Sequence, residues 1–134
     1  EEFFSQIRWI GWILGGFSLL VGGFGIANIM FVSVKERTHI IGIQMATGAK
    51  RYFILLQFLF EAVFLSLFGG LTGLFLVFAL TRIFSGLIGM ELLMTPMNIF
   101  IGITVSVIIG LVSGFIPALN ASRLDPVEAI RSTF

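Results

Sequence analysis

The chain has 134 residues, of which 57% are hydrophobic and only 11% charged, with a formal net charge of +1 and a mean hydropathy of +1.09. A water-facing domain keeps roughly 25% charged residues, so this chain cannot cover a soluble surface and its solvent is lipid. The small net charge speaks against a nucleic-acid binder, which shows a basic face, and the absence of Cys removes disulfides and thiolate metal sites.

The opening EEFFSQIRWI has no Met and lacks the basic start and small-residue end of a signal peptide. It reads as the extracytoplasmic end, residues 1–9, of a piece of a longer protein. A spanning helix needs about 20 apolar residues. No formal charge occurs from Trp9 to Val34, Glu61 is the only one from Tyr52 to Thr81, and none lies between Pro96 and Ser122. These runs predict an all-α membrane protein with three transmembrane helices, at 10–34, 52–81 and 96–119, because lipid offers the backbone no other partner. Between them lie a loop at 35–51 and a connection at 82–95, and residues 120–134 form a tail.

Lys35, Arg37, Lys50 and Arg51 fall on one side with Arg123 and Arg131, against Arg8 and Arg82 on the other. Six against two places the loop and the C-terminus in the cytoplasm, and the N-terminal end and residues 82–95 outside. If the whole protein starts in the cytoplasm, an odd number of crossings precedes Glu1. Small residues recur four apart in Gly11/Gly15, Ser18/Gly22, Ser66/Gly70 and Gly69/Gly73, and along Gly102, Ser106, Gly110 and Gly114. Such rows let helices approach closely, within one bundle or across a dimer.

Two glycine patterns carry no nucleotide site. GGFGIAN has Asn28 where a third Gly belongs and no strand before it; GIQMATGAK has five residues between its glycines and no hydroxyl after Lys50. No catalytic triad and no cluster of metal ligands is read from the chain, and His39 is read as a solvated loop residue.

Glu61 stands out, because a carboxylate within a span is costly and functional by default. Ten residues beyond Arg51, it is placed roughly 15 Å into the span. Gln57 lies one turn away on the same face, and Asn28 comes down the preceding helix at similar depth. Asn28, Gln57 and Glu61 are therefore expected to form a polar knot between the first two spans; a proton or ion relay is the other reading.

In VKERTHIIGIQMATGAKR, Thr38 can cap a short helix and Gly48 suits the left-handed position that ends it. Ile40, Ile41, Ile43 and Met45 are too apolar for a freely solvated loop. Either they dock on a partner, at about 1.5–3 kcal/mol each, or they lie in the lipid interface. The tail SRLDPVEAIRS has Asp125 as N-cap, Pro126 at the first helical position and Glu128 three residues on, a capping-box pattern.

NIMFVSVKERTHIIGIQMATGAKR, LLQFLFEAVFLSLFGGLTG and PALNASRLDPVEAIRS, in this order, resemble the C-terminal half of a MacB/FtsX-type ABC transporter permease, closest to the MacB-like branch. The resemblance implies a four-helix permease of the bacterial inner membrane whose first helix and large extracytoplasmic domain precede Glu1. It implies work as a dimer, with a second permease copy or related permease, two cytoplasmic ATPase subunits or domains, and a possible periplasmic or outer-membrane partner. ATP and Mg would be bound by the ATPase and no cofactor by this chain, which would be non-catalytic. The loop would be the coupling helix seated on the ATPase, with Glu36, Arg37, Thr38, Ile40, Ile41, Gly42, Ile43, Ala46, Gly48 and Ala49 in its motif. Leu124, Asp125, Pro126, Val127, Glu128, Ala129 and Arg131 match the family's tail. Many members read E-R-T-R-E-I-G-I-R; His39, Ile40 and Gln44 here replace Arg, Glu and Arg, and Leu119 and Asn120 stand where two Arg are common. Contact with the ATPase would accordingly be less ionic and more apolar.

Overall fold

The computed structural model describes residues 1–89, 91 and 93–131, and its regular elements are helices. In chain order they are α1 (Glu2–Glu36), α2 (Thr38–Ala46), α3 (Arg51–Ile88), α4 (Pro96–Ser122) and α5 (Pro126–Arg131). Three of them, α1, α3 and α4, are long and apolar enough to cross a membrane. They outrun the expected spans: α3 has 38 residues, about 57 Å at 1.5 Å per residue, against a hydrocarbon core of roughly 30 Å. The turn into α4 is therefore shorter than 82–95. It starts at Gly89, which ends α3 in the left-handed conformation (φ 76°). Thr95 caps α4, accepting from the Asn98 N–H at 3.3 Å, with Pro96 at the first position.

Lipid is as apolar as a Leu side chain, so close contact of small residues has to hold the spans together. The row on α4 meets α3 all along its length. A Cβ at Gly110 would lie 2.9 Å from the Val63 Cα and 3.1 Å from the Ala62 carbonyl, and one at Gly114 would overlap the Ala62 side chain. Gly70 closes on Ser106 in the same way, and the Ser66 hydroxyl donates to the Ser106 carbonyl. Other rows point away: nothing lies within 4 Å of the Cβ position at Gly11, Gly15, Gly22, Gly69 or Gly73. α1 leans mainly on α4, with Gly23 against Ser113 and Ile109, and all of residues 1–22 are exposed.

The true core sits at the end where the helices join α2. Met30 and Val34 of α1, Ile41 of α2, Ile54, Phe58 and Ala62 of α3, and Ala118 and Ala121 of α4 form one buried cluster, with Leu124 packed against it. A nine-residue helix is unstable alone. Burying Ile41, only 1% exposed, contributes about 1.5–3 kcal/mol towards holding α2 in place.

The contrast between glycine rows is directly testable. Gly110→Leu must push α3 and α4 apart at backbone contact and should destabilise the protein by at least about 1–3 kcal/mol. Gly69→Ala, on the open face of α3, should be neutral or stabilising by up to about 1 kcal/mol through helix propensity. Thermal unfolding of both variants in detergent checks the pair.

Candidate functional site

α1 and α2 meet at one residue. Arg37 (φ −102°, ψ 9°) is the only break between them, and helical bonds continue through it, from Arg37 N–H to the Ser33 carbonyl at 3.0 Å and from Ile41 N–H to the Arg37 carbonyl at 2.8 Å. Thr38 is therefore not a cap. Its hydroxyl turns back and donates to the carbonyls of Val34 (2.9 Å) and Lys35 (3.0 Å), the last turn of α1. The far end of α2 follows the expectation: Gly48 takes φ 111°, its N–H donates to Met45, and the Ala49 N–H reaches the Gln44 carbonyl at 2.9 Å. These two bonds make a Schellman motif.

The isoleucines of α2 divide between two environments. Ile41 enters the core, correcting the expectation of a wholly exposed apolar set, whereas Ile40 and Ile43 remain 54% and 44% exposed; Met45 packs on the core edge. Glu36 and Ala46 are exposed. Gly42 is buried for a reason absent from its local sequence: α5 lies on it. A Cβ there would come 2.8 Å from that of Ala129 and 3.0 Å from the Ile130 backbone nitrogen. His39, read as a solvated loop residue, is exposed as expected but lies in α2 and donates from Nδ1 to the Ile130 carbonyl at 2.9 Å.

α5 starts as its sequence suggests. The Asp125 carboxylate accepts the Val127 N–H at 2.9 Å, with Pro126 first in the helix. Among the described residues Glu128 returns no bond to Asp125, and the Asp125 carboxylate bonds the N–H of the second helical residue and not that of Glu128, so Asp125 caps α5 without a capping box; Glu128 and Arg131 are exposed. Val127 and Ile130 are exposed as well, so the packed α2–α5 pair leaves Ile40, Ile43, Val127, Ile130, Glu128 and Arg131 exposed, as is Glu36 at the end of α1. Arg51 ties the start of α3 to the end of α4 through the Ser122 carbonyl, at 3.3 Å.

Asn28, Gln57 and Glu61 do not form a knot. α1 leans on α4 rather than α3, which leaves Asn28 exposed at the rim of an apolar groove of about 340 Å³ with Ile109, Ser113 and Pro117. Glu61 pairs with Arg37 through two bonds, Nη1–Oε2 at 2.9 Å and Nη2–Oε1 at 3.0 Å. A residue at the α1–α2 corner thus reaches Glu61, ten residues into α3. The first turns of α3 lie alongside the loop, and the uncharged stretch from Ala62 to Thr81 still supplies the about 20 residues that a span needs. The guanidinium also lies 5.9 Å from the centre of the buried Phe58 ring.

Gln57 has a buried Oε1 that meets no partner among the described residues. An orphaned buried acceptor carries a desolvation cost of about 1–3 kcal/mol. Gln57→Leu should therefore leave stability unchanged or raise it, as read by thermal unfolding. A loss of more than about 1 kcal/mol would mean that the amide is engaged.

The FtsX-like permease C-terminal family matches residues 12–126. Macrolide export ATP-binding/permease proteins MacB are 47% identical in Agrobacterium fabrum, over 84% of this chain and 18% of that protein, and 48% identical in Marinobacter nauticus, over 96% and 20%. A probable export ATP-binding/permease protein of Pseudomonas fluorescens is 49% identical over 84% of this chain and 18% of its own length. The chain thus spans about a fifth of these relatives, in a part that holds three helices able to cross the bilayer. It belongs to the FtsX-like permease C-terminal family and is a multi-pass inner-membrane permease segment of an ABC transporter of the MacB/FtsX type.

Proposed function

We propose that the α2–α5 pair is the seat of a cytoplasmic ABC ATPase, and that this segment passes the ATPase's movement through the spans to a domain on the opposite side of the membrane. The observation that carries the reading is the build of the pair. α2 is fixed by Ile41 in the core and locked to α5 through Gly42 and His39, yet it leaves Ile40 and Ile43 exposed, as α5 leaves Val127 and Ile130. A rigid element with exposed apolar side chains suits docking better than a loosely attached loop, because little ordering remains to be done on binding.

In this reading the excess of Lys and Arg near the loop and tail places the pair in the cytoplasm. The N-terminal end of α1 and the turn before α4 lie outside. ATP and Mg are held by the ATPase, and this segment contributes no catalytic group. Two permease copies and two ATPase units make the working assembly, and the names of the relatives, which export macrolides, suggest export as the task. A carrier built on Glu61 has less support, since Glu61 is held by Arg37 at the α1–α2 corner. Carrier sites lie near the midplane at broken helices.

Ile40→Asp in the full-length transporter should test the docking face. Ile40 is 54% exposed, so the change leaves the fold intact. It should lower ATP-driven transport by about tenfold or more, the equivalent of roughly 1.4 kcal/mol, while membrane insertion is unchanged. Transport at the unmodified level would remove the docking role from α2.

A further inference from the structure

The docking reading leaves open how a push on α2 reaches the spans. The backbone of α2 is continuous with α1 and packs on α5. It runs on into α3 through residues 47–50, and at its other end the links to α3 are side chains: Ile41 in the core and Arg37, just before α2, on Glu61. Only one residue separates α1 from α2, and that residue is Arg37 itself. Without a tie at this break, the Arg37 end of α2 would be free to turn about residues 47–50 and leave α3 in place, and α4 follows α3 because their backbones are in close contact.

We propose that Arg37 and Glu61 form a clasp that joins the α1–α2 corner to the α3–α4 pair, so that a displacement of α2 moves all three long helices together. The inference rests on the docking role assigned to α2 above, and it names Arg37 and Glu61 as positioning residues for that role. Three observations carry it. The pair is bidentate, at 2.9 and 3.0 Å, and two parallel bonds fix the plane of the guanidinium as well as its distance. The pair spans 24 positions of sequence and bypasses α2 altogether. The guanidinium also rests near Phe58, whose side chain is fully buried in the core. Ordinary partly exposed ion pairs contribute little to stability; one that holds the break between α1 and α2 against α3 acts on geometry instead.

The test uses the full-length transporter in lipid nanodiscs, free of other cysteines, with nitroxides on Thr47→Cys in the α2 cap and Phe64→Cys on the exposed face of α3. With the clasp intact, the distance between the labels is narrow and the same with and without ATP. Glu61→Gln keeps the shape and removes the charge; it should broaden the distribution without nucleotide and add a shift on ATP binding of roughly 1–2 Å or more, the scale of helix shifts at interfaces. The swap of Arg37→Glu with Glu61→Arg should restore the narrow distance. If the swap fails to reach the membrane, Arg37→Lys replaces it and should give an intermediate width, since the charge remains without the planar fork. A Glu61→Gln distribution as narrow as the unmodified one overturns the clasp, and so does a swap or Arg37→Lys protein as broad as Glu61→Gln. The Thr47 label alone reads the docking role separately: a line shape that ignores ATP in the unmodified protein overturns that role, whatever the width shows.

Discussion

Ile41 reaches the one place where α1, α3 and α4 all converge, and the arrangement of the loop depends on that contact. A helix of nine residues has no independent stability, and the spans offer it no hydrophobic surface in the bilayer. Burying Ile41 with Met30, Val34, Ile54, Phe58 and Ala121 fixes both the position of α2 and its rotation. The rotation then determines which neighbours stay outside. With Ile41 and Gly42 turned inward, Ile40 and Ile43 must face out, and α5 is drawn onto the Gly42 side.

The same cluster separates two kinds of cohesion. At the α2 end, side chains of ordinary size interdigitate as in a soluble core. Further along α3 and α4, cohesion comes from Gly102, Ser106, Gly110 and Gly114 against α3, where backbone approach replaces hydrophobic drive. Beyond Gly23, α1 carries no comparable packing, and its first 22 residues are exposed. The bundle is thus tight at the α2 end and open at the other.

Much of this was legible because it is local. Uninterrupted apolar runs gave the three long helices, Gly48 gave the end of α2, and Asp125–Pro126 gave the start of α5. Errors arose where the partner is distant in sequence. Glu61 is expected from the sequence to join Asn28 and Gln57, whereas its partner is Arg37 at the α1–α2 corner. Asn28 was paired with α3 because that helix is next in sequence; in space its neighbour is α4. Thr38 has a good capping side chain, but helical bonds pass through Arg37 and leave it to bond backwards. Gly42 and His39 could be placed only once α5 was seen to lie on them. One local sign was available for Glu61: a bare carboxylate near a cluster of four cations invites a pair with one of them.

The most direct measurement is a single cysteine at Ile43 in the full-length protein, with no other cysteine, treated with a short crosslinker in native membranes. Ile43 is exposed on α2, whereas the Thr38 hydroxyl is already bonded within its own helix. The account predicts reaction with thiol reagents from the cytoplasmic side only, and capture of the ATP-binding part of the transporter in equal amount. Labelling from outside alone would invert the topology and contradict the account. Cytoplasmic labelling without any ATP-binding partner in the crosslinked product would contradict the docking face itself.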